Sequence, residues 1–252
     1  MTISLAGKVA LVTGGSAGLG AAIVQKLAAG GCHVAINYAY SEGRAEELAT
    51  LVASQFNVKT IKLQGDVSEE ESCKRLVTET FKQLGGLDIV VSNAGWTRII
   101  NFADLDEVQV EDFDKCYSMN VKSHFYLFRA AKPYFDNNPE GGSFLITGSI
   151  AGLKPGGSSI PYSITKAASI HLTKCLAKSH GPKSRVNIVC PGLLLTEWGF
   201  KFGPERIAHI ENSLPLKQTC SVEDTADVYI SLAKNGSQTG SVVSVDGGMS
   251  VM

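Results

Sequence analysis

The chain has 252 residues, of which 44% are hydrophobic, and it carries 23 basic and 24 acidic side chains. This length suits one large α/β domain or two small ones. The near balance of charge, without a long basic or acidic run, argues against nucleic acid or an anionic membrane as a partner. No apolar run approaches the length that spans a bilayer, and residues 1–7 lack the pattern of a secretory signal.

The six cysteines are scattered along the sequence without a Cys-x-x-Cys pair. Such spacing predicts reduced, mostly buried thiols, because zinc sites and small disulfide frameworks use paired or close spacings. We therefore expect no metal site. A cytoplasmic location is expected because the sequence carries no recognisable targeting signal.

Short β-branched runs alternate with longer helical patterns along the whole chain. The apolar runs predict strands at 9–13, 33–37, 58–63, 87–92, 143–147, 185–190 and 241–245. Helical periodicity predicts helices at 21–29, 42–55, 69–84, 110–135, 162–179 and 222–233. Such alternation favours parallel pairing through right-handed crossovers, with helices on both faces of the sheet. The sequence predicts one α/β domain over residues 1–252, built on a Rossmann-like, doubly wound sheet of seven parallel strands.

A glycine-rich turn follows the first strand, where residues 13–20 read Thr-Gly-Gly-Ser-Ala-Gly-Leu-Gly. Glycines there permit a tight turn and the close approach of a pyrophosphate, and the next helix presents free N–H groups to it. A tight connection alone would use glycine too, but the position between a strand and a helix favours a dinucleotide site. The candidate contacts in this turn are Gly14, Ser16, Ala17, Gly18 and Leu19.

The second predicted strand ends at Asn37 and Tyr38, where an acidic residue would bind the ribose 2′-hydroxyl of NAD. A neutral end better tolerates the 2′-phosphate of NADP, and Ser41 and Arg44 follow within reach of that group. Arg44 has the alternative of being an ordinary exposed helix residue. Ala17 argues in the other direction, because NADP users often place a basic residue there. We expect NADP(H) to be favoured over NAD(H).

Two further loops follow strands and are candidates for the same site. Asp66, followed by Val67, is placed to accept a hydrogen bond from the adenine amino group or to cap the next helix. Asn93, Ala94 and Gly95 end the fourth strand, where small side chains leave room for a cofactor. All of these loops lie at the carboxyl ends of strands, where open parallel sheets bind ligands.

Ser149, Tyr162 and Lys166 form the pattern that carries the chemistry. Positions i and i+4 share one face of a helix, so the phenol and the ammonium can converge on one point. A neighbouring cation favours the phenolate and lowers the pKa of a tyrosine, which would allow proton exchange near neutral pH. The spacing alone is also common on solvated helices, so its weight depends on the other motifs.

These motifs occur in the order and spacing of one family. The sequence resembles the short-chain dehydrogenase/reductase family in its single-domain branch, in particular NADP(H)-dependent ketone and 3-oxoacyl reductases. The resemblance covers nearly the whole chain and rests on Thr-Gly-x-x-x-Gly-x-Gly at 13–20, Asn-Ala-Gly at 93–95, Asn120, Ser149, Tyr162-x-x-x-Lys166 and Pro191-Gly192. Ser92 departs from the family pattern, which usually has asparagine there.

The resemblance implies a role for each catalytic residue. It implies that Tyr162 is the general acid and base, and that Lys166 lowers its pKa and holds the nicotinamide ribose. Ser149 would polarise the substrate carbonyl, and Asn120 would hold a water that links Lys166 to solvent. The loop after the sixth strand, which begins at Pro191 and Gly192, would hold the nicotinamide carboxamide through the Leu194 backbone and the Thr196 hydroxyl.

The segment from about 194 to 215 is predicted to be a mobile apolar lid over the substrate, because it contains a tryptophan and two phenylalanines among glycines, namely Trp198, Phe200 and Phe202. Trp96 follows the Asn-Ala-Gly turn and is expected to face the same cleft. These rings favour an apolar or cyclic ketone or secondary alcohol as substrate, unless they serve packing or a subunit interface. The family also implies a homodimer or homotetramer. Candidate interface residues are Phe113, Tyr117, Phe125, Tyr126 and Phe128, although a core role explains several of them equally well.

Three functions are compatible with these residues. The first is hydride transfer between NADPH and a ketone, with NAD-dependent oxidation of a polyol or hydroxysteroid as its main rival. The second is non-redox isomerisation or cyclisation on the same fold, against which the intact set of catalytic residues argues. The third is dinucleotide binding without turnover.

Overall fold

The computed structural model describes residues 2–252, and its strands form one parallel, 7-stranded sheet in the order β3-β2-β1-β4-β5-β6-β7. The strands are β1 (Val9–Val12), β2 (His33–Tyr38), β3 (Thr60–Gln64), β4 (Ile89–Ser92), β5 (Gly142–Thr147), β6 (Ser184–Pro191) and β7 (Val242–Val245). The helices are α1 (Gly18–Ala29), α2 (Glu42–Phe56), α3 (Glu70–Leu84), α4 (Val110–Tyr117), α5 (Ser123–Asn137), α6 (Ile160–His180), α7 (Pro204–Ser213) and α8 (Val222–Lys234). The predicted fold class is confirmed.

Side chains of each strand alternate between two hydrophobic cores, one on each face of the sheet. Ala10 and Val12 of β1 face the core formed with α1, α2 and α8. Val9 and Leu11 of the same strand face the core formed with α3, α5 and α6. Because successive side chains of a strand point to opposite faces, a strand buried on both sides must be apolar throughout.

The order of the strands reverses beside β1. The chain runs outward from β1 to β2 and β3, and then returns to place β4 on the other side of β1. The loops after β1 and β4 therefore diverge, and a crevice opens between them at the carboxyl edge of the sheet. This crevice is where the fold positions a ligand.

The predicted helix at 110–135 is interrupted by a π-helical turn. Ser118–Lys122 forms this turn between α4 and α5, so the helical path continues with one wider turn. π turns recur at functional sites, because they redirect side chains without ending the helix. Asn120 lies in the middle of it and is fully buried.

Two other elements differ from the prediction. α1 begins at Gly18 and not at residue 21, because its first turn is built from the low-propensity glycines of the turn itself. α7 was not predicted: Gly203 and Pro204 favour a loop, and no residue of this helix is buried. A short 3₁₀ helix, Gly199–Phe202, precedes it.

Within residues 2–252, no helix combines the length and apolar character needed to cross a bilayer. Over the same residues, no three His, Cys, Asp or Glu side chains group in a way that could hold a metal ion. All six cysteines are free thiols, and Cys32, Cys73, Cys116 and Cys190 are buried. Burial raises the pKa of Cys32 and of Cys73 to about 12, so both remain thiols at neutral pH.

Candidate active site

A cavity of about 980 Å³ runs along the carboxyl edge of the sheet. This volume lies at the upper end of the range for small-molecule sites, as a site for a dinucleotide together with a substrate requires. Most of the predicted site residues line it, namely Gly14, Ala17, Gly18, Leu19, Asn37, Asp66, Val67, Asn93, Ala94, Gly95, Trp96, Ser149, Tyr162, Lys166, Pro191, Gly192, Leu194, Thr196, Trp198 and Phe200. Ser16, Tyr38, Ser41 and Asn120 lie outside its wall.

The start of α6 positions the tyrosine and the lysine. Ser159 caps the helix by accepting a hydrogen bond from the Tyr162 N–H at 3.4 Å, and Pro161 lies in the first turn. Both features favour a helix start at this point. Tyr162 and Lys166 consequently lie one turn apart on the same face, with the Lys166 ammonium 5.5 Å from the centre of the Tyr162 ring.

Lys166 is 3% exposed, and its ammonium donates to the Thr147 carbonyl oxygen at 2.8 Å. Thr147 is the last residue of β5, so the sheet itself fixes the position of the cation. Burial lowers the pKa of Lys166 to about 8. The side chain therefore carries its charge at neutral pH and loses it under mildly alkaline conditions.

The pKa of Tyr162 departs from the sequence-based expectation. Burial raises it to about 12, and a hydrogen bond with Ser149 acts in the opposite direction. The ammonium of Lys166 is directed to the Thr147 carbonyl, so desolvation of the phenol dominates. Tyr162 is thus a protonated phenol at neutral pH, which is the form that can donate a proton.

Ser149 follows β5 and precedes a short 3₁₀ helix, Ile150–Gly152. Its hydroxyl oxygen accepts a hydrogen bond from the Ala151 N–H at 3.1 Å. A hydroxyl has one donor and two acceptor positions, so Ser149 keeps its proton for the Tyr162 oxygen or for a substrate oxygen in the cavity. Ser149 and Tyr162 therefore present two O–H donors to one point of the wall.

Asn120 lies behind the cavity wall, and its side-chain amide makes hydrogen bonds with neighbouring groups. Its oxygen accepts from the Trp96 N–H and its nitrogen donates to the Trp96 carbonyl, both at 2.9 Å. The same nitrogen donates to the Thr165 hydroxyl at 3.2 Å, and Ser169 donates to the Asn120 carbonyl at 2.6 Å. Asn120 thus ties the π turn to α6 and fixes the backbone of Trp96.

The glycine turn fits a dinucleotide pyrophosphate. A side chain at Gly20 would place its Cβ 2.2 Å from the Gly14 carbonyl oxygen, so the turn requires glycine at this position. The first turn of α1 has neither an acidic residue nor a side-chain cap. Its free N–H groups and the positive end of the helix dipole are consequently available to an anion.

The Asn-Ala-Gly segment after β4 supports the glycine turn. The Thr13 hydroxyl accepts hydrogen bonds from the N–H groups of Asn93 and Ala94, at 2.9 and 3.1 Å. The Asn93 amide donates in return to the carbonyl oxygens of Thr13 and Gly14. The predicted cofactor residue Asn93 therefore also holds the two sides of the crevice at a fixed distance.

Asn37 and Tyr38 differ from the role predicted for them. Asn37 is 2% exposed and accepts from the Gly14 N–H, while its amide nitrogen donates to the carbonyl oxygens of Leu63 and Gly65. Its side chain thus braces the glycine turn against β3, and the hydrogens of its amide nitrogen are used inside the protein. Tyr38 still belongs to β2, and its ring packs in the core with α1 and α2.

Other residues occupy the place expected for Tyr38. Ala39 and Tyr40 line the cavity, and the Tyr40 side chain is 91% exposed at its rim. Arg44 donates to the Ser41 hydroxyl and to the Glu197 carboxylate, both at 2.7 Å. Glu197 belongs to the segment predicted to be a lid, so this ion pair joins α2 to that segment across the cavity mouth.

Asp66 does not have the capping role predicted for it, and its contact with adenine stays a prediction. Its carboxylate accepts from the N–H and the hydroxyl of Ser68, at 2.9 and 2.8 Å, in the turn before α3. The N-cap of α3 is Glu69, so Asp66 does not cap that helix. The exposed Asp66 side chain still lines the cavity, where its remaining acceptor positions face the expected adenine end.

The segment after β6 covers one end of the cavity. Thr196 lies against the glycine turn, since a Cβ on Gly18 would come within 3.3 Å of its methyl group. The Trp198 and Tyr162 rings are 6.2 Å apart, and Phe200 is exposed at the mouth. Gly199 is required here, because a Cβ would be 1.9 Å from the Leu194 carbonyl oxygen.

Ser92, the departure from the family pattern, has a partner inside the protein. Its hydroxyl lies 2.6 Å from Nδ1 of His124, and both residues are buried. Burial, together with the charge of Lys166, lowers the pKa of His124 to about 3, so the imidazole is neutral. This pair joins β4 to α5 directly behind the candidate active site.

Sequence reasoning missed several residues of the cavity wall. Thr147 holds Lys166, but a threonine at the end of a strand carries no motif. Lys115 and Arg206 line the cavity from α4 and α7, which are remote from the motifs in sequence. Only the folded chain brings these cations to the site.

A comparison of the sequence with family models matches residues 14–250 to the model described as Enoyl-(Acyl carrier protein) reductase. A Streptomyces violaceoruber protein of the granaticin polyketide synthase is 38% identical over 242 residues, which cover 95% of each chain. The short-chain dehydrogenase/reductase of Serratia marcescens superposes with a TM-score of 0.90 and 32% identity, covering 98% of this chain and 100% of that one. The NADPH-dependent 3-quinuclidinone reductase of Rhodotorula rubra gives a TM-score of 0.91 and 30% identity, with 99% and 93% coverage.

These matches extend over nearly the whole chain, and the superposition agrees with the parallel sheet described above. The fold and the family are therefore established together. The chain belongs to the short-chain dehydrogenase/reductase family of oxidoreductases, whose members use a nicotinamide cofactor.

Proposed function

We propose that the protein reduces a ketone to a secondary alcohol with NADPH, and catalyses the reverse reaction with NADP. The observation that carries this proposal is the convergence of Ser149, Tyr162 and Lys166 on the wall of the cavity that begins at the glycine turn. Bound NADPH supplies the hydride. The residues of the chain supply the proton and orient the carbonyl.

In reduction, the Tyr162 phenol donates its proton to the carbonyl oxygen as the hydride arrives at the carbon. The Ser149 hydroxyl donates a hydrogen bond to the same oxygen and stabilises the negative charge that develops there. Lys166 keeps a positive charge beside the phenol, which stabilises the phenolate left after proton transfer. Asn120 positions α6 and Trp96 and so keeps these groups in place.

The glycine turn, Asn93, Ala94, Gly95 and the loop from Pro191 to Thr196 would hold the cofactor. The start of α1 would hold its pyrophosphate, and the loop beside Thr196 would hold its nicotinamide end. The preference for NADP rests on the absence of an acidic residue from Ala39 to Ser41, just after β2, and on Arg44 beside Ser41. The Rhodotorula rubra neighbour, an NADPH-dependent reductase, supports the same choice.

The first test is a fluorescence titration of the protein with NADPH and NADH, followed by turnover on a panel of apolar ketones. Tight NADPH binding with oxidation on a ketone is the expected result. Binding without turnover on any carbonyl would favour a non-redox or dinucleotide-sensing role. Tighter binding of NADH would overturn the proposed cofactor.

Replacing Arg44 with glutamine is expected to weaken NADPH binding by about tenfold, because a guanidinium forms charge-assisted hydrogen bonds with a phosphate. NADH, which lacks the 2′-phosphate, should bind unchanged. Glu197→Gln should act in the opposite direction and strengthen NADPH binding by about threefold, since an exposed ion pair is worth at most about 1 kcal/mol.

Glu47→Gln, on the exposed face of α2, is the matched control for Glu197→Gln. It removes the same negative charge from a carboxylate that forms no ion pair within residues 2–252. The dissociation constants of NADPH and NADH for the three variants show whether Arg44 binds the 2′-phosphate. Equal weakening of NADPH and NADH in Arg44→Gln would show that Arg44 acts on the fold of the rim and not on the 2′-phosphate.

The rate of reduction is expected to fall as the pH rises through about 8. The pKa of Lys166 is lowered to about 8, so its ammonium deprotonates there, while the Tyr162 phenol, with a pKa of about 12, stays protonated. Because the two groups interact, the measured value belongs to the pair. A profile of kcat/KM from pH 6 to pH 10 measures this fall.

Lys166→Arg provides the comparison, because a guanidinium stays protonated over this whole range. Its lower activity should be independent of pH between about 7 and 10. A wild-type profile that is flat to pH 10, or an identical fall in both proteins, would contradict the assignment.

Two further proposals concern the surface. The segment from about residue 194 to 215 forms a lid that is held closed by the Arg44–Glu197 ion pair and by the contact of Arg206 with the Gly157 carbonyl. Phe128 is buried in the core and Tyr126 packs against it, so neither is free for a subunit interface. The exposed rings of Phe113, Tyr117 and Phe125 on α4 and α5, with Ile164 on α6, form the face of a homodimer or homotetramer. Sedimentation of the wild type beside a Phe113→Ser variant would test that assembly.

A further inference from the structure

The charges on the cavity wall are unevenly distributed. Its acidic side chains lie toward the nucleotide end: Asp66 after β3, Glu223 at the start of α8 beside α1, and Glu197, which pairs with Arg44. Apart from Lys166, the cations lie at the other end: Lys115 on α4, and Lys201 and Arg206 in the segment after β6. The ion pairs of residues 2–252 leave these three cations without a carboxylate.

Lys115 is placed by a residue of the active site itself. Its ammonium lies 4.6 Å from the centre of the Trp96 ring. The Trp96 backbone is fixed by two hydrogen bonds to Asn120, so the ring and the cation above it have a defined position. A cation–π contact leaves the charge and the N–H donors of the ammonium available to an anion.

Arg206 is held close to the tyrosine. It donates to the Gly157 carbonyl at 2.9 Å, and its guanidinium lies 4.6 Å from the centre of the Phe202 ring. Gly157 packs on Tyr162, because a Cβ there would be 3.3 Å from a carbon of the ring. A guanidinium has five N–H donors, so Arg206 keeps a donor pair that can bind a carboxylate or a phosphate.

We propose that the substrate is a ketone with an apolar body and an anionic group, a carboxylate or a phosphate, and that Lys115 and Arg206 bind this group. The aromatic wall formed by Trp96, Trp198 and Phe202 accommodates the apolar body, and the two cations lie at its margin. The inference deepens the proposed function and rests on it. It assigns Lys115 and Arg206 as specificity-determining residues.

The test compares ketones of one carbon skeleton that are neutral, carboxylated or phosphorylated at a position remote from the carbonyl. With NADPH, the wild type should give a kcat/KM about tenfold higher or more for one of the anionic ketones than for the neutral one. The preferred anion identifies the group. Lys115→Gln and Arg206→Gln should each remove about tenfold from the anionic ketone and less than about twofold from the neutral one.

Arg206→Lys, which keeps the charge, should retain most of the preference. Lys59→Gln is the matched control, because Lys59 is an exposed lysine before β3, at the opposite edge of the sheet. Equal kcat/KM for neutral and anionic ketones in the wild type would overturn the inference. If Arg206→Gln lowered kcat/KM equally for the neutral and the anionic ketone, Arg206 would not bind the anionic group. Its contact with Gly157 would then only close the lid.

A binding measurement separates this inference from the proposed function. The chain has 2 tryptophans, Trp96 and Trp198, and both line the cavity, so their fluorescence reports binding there. The anionic ketone could bind without being turned over, with an affinity that Lys115→Gln weakens about tenfold. This result would keep the anion site and overturn the reductase. Turnover of the neutral ketone, with no effect of the anionic group on binding or on kcat/KM, would keep the reductase and overturn the anion site.

Discussion

A Tyr162→Phe variant is expected to lose about 10³-fold in kcat for ketone reduction while binding NADPH with unchanged affinity. The substitution removes the only proton that the ring can donate, and general acid catalysis contributes about 10²- to 10⁴-fold. The ring itself stays, so the contact with Trp198 and the wall of the cavity are preserved. Steady-state kinetics and a cofactor titration on the same preparation measure the two effects separately.

Tyr134→Phe is the control for this substitution, because it removes a hydroxyl from a ring that packs on Phe81 near the end of α5, outside the cavity wall. It should leave kcat unchanged. The thermal midpoints of both variants should stay close to that of the wild type. Full activity of Tyr162→Phe would show that another group protonates the product, and the assignment of the proton donor would fail.

The start of α6 shows why this part of the site could be predicted from the sequence. Ser159, Pro161 and the i, i+4 spacing of Tyr162 and Lys166 are local features, and a helix converts them into one geometry. The glycine turn is local in the same sense, since its requirement for Gly20 comes from the nearby Gly14 carbonyl. Residues whose roles depend on a single element are the ones that a sequence pattern can place.

The pKa values could not be predicted in this way. The cation beside Tyr162 was expected to dominate, but the direction is set by burial and by the Thr147 carbonyl, which takes the ammonium. Both depend on how α6 packs on β5. The same holds for Lys115 and Arg206, which reach the cavity only through the packing of α4 and α7.

The end of β2 is the place where sequence reasoning was least successful. A residue near the end of a strand points either to the cavity or to the structure beneath it, and the pattern does not distinguish the two. At Asn37 the amide points to the glycine turn and β3, and at Tyr38 the ring points to the core. The cofactor preference therefore depends on residues beyond this point, from Ala39 to Arg44.

Asn37→Asp is consequently expected to destabilise the protein and not to create a preference for NAD. The Asn37 nitrogen donates to the Leu63 and Gly65 carbonyl oxygens at 3.2 and 3.0 Å, and a carboxylate can donate to neither. A buried acceptor that loses its donor costs about 1–3 kcal/mol, and the buried charge adds to this. We expect the free energy of unfolding to fall by about 3–5 kcal/mol, which corresponds to a fall of about 10 °C in Tm.

The dependence of this loss on pH gives a sharper test. The introduced carboxyl is buried among carbonyl oxygens, so its pKa in the folded protein lies above its value in the unfolded chain. Such a group stabilises the fold below the unfolded pKa, and that contribution is lost as the pH rises through the folded value. The Tm deficit relative to wild type should therefore grow between about pH 4 and pH 7.

Asn57→Asp, at the exposed end of α2, should show no comparable deficit. A stable Asn37→Asp variant that prefers NADH would instead mean that this side chain faces the ribose, and that the brace between the glycine turn and β3 is dispensable.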